Sequence, residues 1–102
     1  MNRRASRKID RRTRQMLESA DYMLSYAQMA LQNKTQKQLK LYISQSVSIL
    51  RTLDKEKCEV TKRCGKERTL FYAMISQLLI AYQQHNLKKI NNVRSKIHQL
   101  VD

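Results

Sequence analysis

A chain of 102 residues has room for one domain with one modest core, which excludes a separate catalytic domain. With no proline and a single glycine, Gly65, it lacks the residues that the repeated tight turns of an all-β fold require. Its 21 Lys and Arg against 8 Asp and Glu give a formal net charge of +13, a self-repulsion best explained by an acidic partner such as nucleic acid, an acidic protein or an anionic surface.

The chain opens with a basic arm, residues 1–14, ahead of a bundle domain over residues 15–102. Seven of the first fifteen residues are basic and Asp10 alone is acidic. At ~100° per residue, Arg3, Arg4, Arg7, Arg11 and Arg14 fall on one side of a helix, opposite Ile9, Thr13, Met16 and Ala20. The arm therefore reads as an arginine-rich N-terminal extension of helix 1. Guanidinium forks on one face suit phosphate oxygens, whereas a solvated tail would need no such sidedness.

The first helix is expected from about Ile9 to Gln32, on an apolar row of Ile9, Met16, Met23 and Ala30, with Thr13, Ala20 and Ala27 between them and Leu17, Leu24 and Leu31 widening the stripe. After Asn33-Lys34, Thr35 with Gln38 three residues on has the form of a capping box for a second helix. That helix carries Leu39, Ile43, Val47, Leu50 and Leu53, continues through a charged stretch, and is expected to break at Gly65. Leu70, Phe71, Met74, Leu78, Ala81 and Tyr82, broadened by Ile75 and Leu79, define a third helix from about Glu67 to Gln84, expected to be the most buried. Asn86 is placed to cap a fourth, with Leu87, Ile90, Val93 and Ile97 on its apolar stripe. A 51-residue shift superposes the first hairpin on the second with six identities in 28 positions, Met23 on Met74 and Ala30 on Ala81 among them. The expected fold is all-α: a four-helix antiparallel bundle of two helical hairpins. The hairpins can close within one chain or pair between two as a homodimer.

No apolar run reaches the ~18–20 residues needed to cross a bilayer, and no apolar region follows the N-terminal charges as a secretory signal requires. With two cysteines and no disulfide framework, a reducing cytoplasm is the expected location. Cys58 and Cys64 lie six apart, ~240° around a helix, and only His85 and His98 are present beside them, so no metal site and no cofactor are expected. Arg94 and His98 lie one turn apart, a pairing that resembles the arginine–histidine pair of small helical RNases. That family spaces the two more widely, and no further acid or base sits nearby here. An enzyme is not expected.

Two binding functions follow. In the first, nucleic acid, either DNA or RNA, is held through its phosphates by Arg3, Arg4, Arg7, Lys8, Arg11, Arg12 and Arg14, extended by Lys88, Lys89, Arg94 and Lys96 of the last helix. Arg51, Lys55 and their neighbours, diluted by Asp54 and Glu56, read instead as a solvated helix surface. In the second, the bundle is a protein-interaction module, an adaptor or inhibitor taking an acidic protein or amphipathic helix in a groove between hairpins. In size, charge and helical form the chain resembles the small cytosolic immunity proteins that protect bacteria from their own bacteriocins, a likeness of architecture that carries no residues over. Attachment to a membrane surface is not favoured, because Ile9 and Met16 make a thin apolar anchor.

Overall fold

The computed structural model describes the backbone of residues 11–61 and 66–101 and the side chains of residues 11–56 and 70–101. Arg3, Arg4, Arg7 and Lys8, the side chains of Cys58 and Cys64, and the break expected at Gly65 lie outside the described residues. Four helices make up the described chain: α1 (Arg11–Gln32), α2 (Gln36–Thr61), α3 (Lys66–Gln84) and α4 (Leu87–Val101). No strand occurs among the described residues, and none of these helices is long and apolar enough to cross a membrane. α1 packs on α2 and α4, and α3 packs on the same two, while across the diagonals the Cα atoms stay more than 8 Å apart. These contacts are consistent with a bundle around one core.

The core is built from Leu17, Ala20, Leu24 and Ala27 of α1, Leu39, Ile43, Leu50 and Leu53 of α2, Phe71, Met74 and Leu78 of α3, and Ile90, Val93 and Ile97 of α4. In α1 the buried spine is the leucine and alanine row, and Met16 and Met23 are half-buried at its edge. The buried face is rotated because α1 has a neighbour on each flank, so its centre falls between them. Close approach of α1 and α2 is helped by small residues. Ser46 is fully buried with its hydroxyl donating to Tyr42 O (2.9 Å) and 3.4 Å from Ala20 O on the facing helix. In α3, Ile75 is buried as expected, whereas Leu79 is exposed rather than broadening the core face.

Both short links end their preceding helix in the same way. Lys34 and His85 adopt positive φ (59° and 53°), the left-handed turn that closes a helix C-terminus. Beyond them Thr35 N–H donates to Ala30 O (2.9 Å) and Asn86 N–H to Ala81 O (3.0 Å). Asn86 then caps α4 as expected, its Oδ1 accepting from Lys89 N–H at 3.3 Å. Thr35 does not form a capping box: its hydroxyl turns back and donates to Ala30 O (3.2 Å), the same carbonyl that accepts its own N–H. These link positions differ by 51, as do the starts of α2 and α4 and the buried sets Ala20, Leu24, Ala27, Ala30 and Phe71, Ile75, Leu78, Ala81. The shift seen in sequence therefore recurs in backbone geometry and in burial.

Candidate partner-binding groove

Under the 51-residue shift the α1–α4 seam corresponds to the α3–α2 seam. At the first, side chains bridge the helices. Arg94 of α4 donates through Nε to Asp21 Oδ1 (2.7 Å), through Nη2 to Asp21 Oδ2 (3.3 Å) and through Nη1 to Gln28 Oε1 (2.7 Å). Gln28 Nε2 donates to Asn91 Oδ1, and His98 Nε2 lies 3.1 Å from Asp21 Oδ2. Asp21 and Arg94 keep only 19% and 26% of their side-chain exposure. Partial burial pushes the Asp21 carboxyl up, but the hydrogen bonds and charges of Arg94 and His98 outweigh it and hold the carboxyl below its ordinary value. The arginine–histidine pair is thus committed to a carboxylate on a neighbouring helix.

At the second seam the corresponding residues are Tyr72 for Asp21, Leu79 for Gln28, Lys40 for Asn91, Ile43 for Arg94 and Val47 for His98. Among the described residues, no hydrogen bond or ion pair joins these side chains across the helices. A groove of 610 Å³ remains open between α2 and α3, with Ile43, Val47, Leu79 and Tyr82 among its lining residues. Its α2 wall carries Lys40, Ser44, Ser48, Arg51 and Lys55, a continuous row at three- and four-residue spacing. Among the described residues Lys40, Arg51 and Lys55 have no ion-pair partner. An apolar floor beside an uncompensated cationic wall can take up an apolar stripe that has acidic residues along its flank. Leu79, 42% exposed on the α3 wall, is an apolar group that such a stripe would cover.

Of the residues expected to contact nucleic acid, the described ones belong to the start of α1 and to α4. Arg11 is exposed and Arg14 half-buried at the start of α1, and Arg12 Nη2 is 2.8 Å from Glu56 Oε2 of α2. Lys88 is exposed and Lys89 and Lys96 are half-buried on α4, while Arg94 is held in the seam. Because Asn91, one turn after Lys88, bonds Gln28, the start of α4 lies ~24 Å along α1 from Arg12. Absent from the expected set were Lys40, Arg51 and Lys55, whose signal is a helical row with no acid in it. Counting the local acids Asp54 and Glu56 without their angular position hides that row. Among the described residues no group of three or more His, Cys, Asp or Glu is placed to hold a metal ion. Comparison of the chain with protein-family models, with curated proteins and with solved structures finds no match.

Proposed function

We propose that this chain is a non-enzymatic binding module, two antiparallel helical hairpins closed into a bundle, that takes an acidic amphipathic helix of a protein partner into the α2–α3 groove. The observation that carries this reading is the difference between two corresponding seams, one bridged by Arg94 and the other open with an apolar floor and a cationic wall. A helix laid along the groove would place leucine-like side chains at i, i+3, i+4 and i+7 on Ile43, Val47 and Leu79, and glutamates on one flank against Lys40, Arg51 and Lys55. The apolar floor supplies affinity, and the cations set orientation and speed of capture.

The test is a titration of the protein with a model amphipathic peptide carrying leucines on one face and glutamates beside them, against a scrambled peptide of the same composition. Chemical-shift perturbation locates the contact. Shifts centred on Ile43, Val47 and Leu79 with the patterned peptide alone are expected; equal response to both peptides, or shifts elsewhere, overturns the reading.

A second reading, nucleic-acid binding through the arginine arm, is favoured by the same unpaired cations, since Lys40, Arg51 and Lys55 add to the charge of Arg3, Arg4, Arg7, Lys8 and Arg11. Fluorescence anisotropy with labelled DNA and RNA separates the two. Under the nucleic-acid reading, affinity falls steeply with salt and is lost when Arg3, Arg4, Arg7 and Lys8 are replaced by Gln.

A further inference from the structure

A different surface, on the other flank of α2, stands apart by its lack of charge. Where α1 and α2 meet on the outside of the molecule, Tyr22, Tyr26 and Met29 follow one another at helical spacing on α1, and Tyr42 and Ile49 rise beside them from α2. Tyr22 and Met29 are 65% and 55% exposed. The Tyr26 ring meets Tyr22 edge-on at a centroid distance of 5.5 Å and stacks on Tyr42 at 5.3 Å, so three rings form one continuous aromatic surface. Gln15, Ser19 and Gln45 complete the face without adding charge. Glu18 lies at its border toward α4, exposed Arg11 stands at its end one turn before Gln15, and beside it Arg12 and Glu56 bond to each other.

We infer that this face is the contact by which two copies of the chain associate. Each copy carries a net charge of +13, so two copies repel wherever their cationic faces meet. Across the α1–α2 face that repulsion is smallest, because no lysine or arginine lies among the tyrosines. A two-fold contact sets one patch against itself, and a neutral aromatic patch is self-complementary in a way that a cationic one is not. From Gln15 to Met29 the patch is ~21 Å long. Across two packed helices it is ~20 Å wide, given interaxial spacings of 8–10 Å. That footprint, ~400 Å² on each copy, falls below the range of stable specific interfaces and in that of transient ones, so the association is weak and concentration-dependent. The α2–α3 groove lies on the opposite flank of α2 and stays open in the pair, giving two grooves per assembly.

Analytical ultracentrifugation of the full chain across the micromolar range tests this, with Tyr22→Lys/Met29→Lys and Leu79→Lys as variants at exposed positions. The expected result is a mass that rises with concentration from 12.2 kDa toward twice that value. Raising salt strengthens association by screening the repulsion. The Tyr22→Lys/Met29→Lys protein, folded by circular dichroism, should stay at the monomer mass, and Leu79→Lys should associate like the parent. A parent chain that remains monomeric throughout overturns the inference. So does association that survives the double substitution or is lost with Leu79→Lys.

Discussion

The α1–α4 and α2–α3 seams are built on the same helical positions, 51 residues apart, and differ in what fills them. In the first, Arg94 reaches Asp21 and Gln28 and covers the junction with its own side chain; in the second, Ile43 ends at the floor and the junction stays open. Shared packing positions such as Leu24 and Ile75, or Leu39 and Ile90, are buried in both helix pairs. The contrast therefore comes from the layer outside the core, which is where a repeated scaffold can differ in function without losing its fold.

The sharpest way to break the contrast is at the paired positions 43 and 94. Ile43→Ala removes a nearly fully buried aliphatic side chain and should cost ~2–4 kcal/mol in urea unfolding. Arg94→Ala should cost less, ~2 kcal/mol, by removing charge-assisted hydrogen bonds and leaving the Asp21 carboxylate partly buried without its main partner. If both substitutions cost the same few tenths, the two seams are equally solvated and the difference between them carries no function.

A smaller effect distinguishes the seams by pH. The Asp21 carboxyl is held below its ordinary value in the folded chain, so its contribution is fully present above the unfolded carboxyl pKa, near 4. That contribution is lost as pH falls from there through the folded value, where the folded state must bind the proton. Asp21→Asn should flatten this acid limb of the stability profile, measured by denaturant midpoints from neutral to acid pH. The corresponding residue in the open seam, Tyr72, has no carboxyl to protonate in that window.

Much of the fold was legible because helix-forming composition and interrupted periodicity are local signals. Asn33-Lys34 and His85-Asn86 mark links that occur where they were read, and Asn86 caps as its side chain suggests. The buried residues of α1 all lie in the stripe read from the sequence, but its centre was not legible, since Met16-Met23 and Leu17-Leu24 are both apolar rows at seven-residue spacing and only the neighbours decide between them. Thr35 had two carbonyl or amide partners within reach, and the left-handed Lys34 turned it toward Ala30. Arg94 was grouped with Lys88, Lys89 and Lys96 because its carboxylate partner lies 73 residues away in the chain, on a helix whose angular setting is a tertiary property.

Leu79→Lys should have the least effect on stability and the most on binding. Its side chain is well exposed on α3, so the folded chain loses little buried area, and the expected change in unfolding free energy is within ~0.5 kcal/mol. In the groove, however, the added ammonium faces the wall that already carries Lys40, Arg51 and Lys55 and replaces an apolar part of the lining. Affinity for the leucine-and-glutamate peptide should fall about tenfold, ~1.4 kcal/mol, read by the same titration that locates the parent contact. An electrostatic surface that merely attracts acidic molecules would respond in the opposite direction, since the substitution raises the local positive charge. Tighter binding of Leu79→Lys would therefore show that the cations act alone, whereas weaker binding would show that the apolar floor left open by Ile43 and Val47 is what the partner occupies.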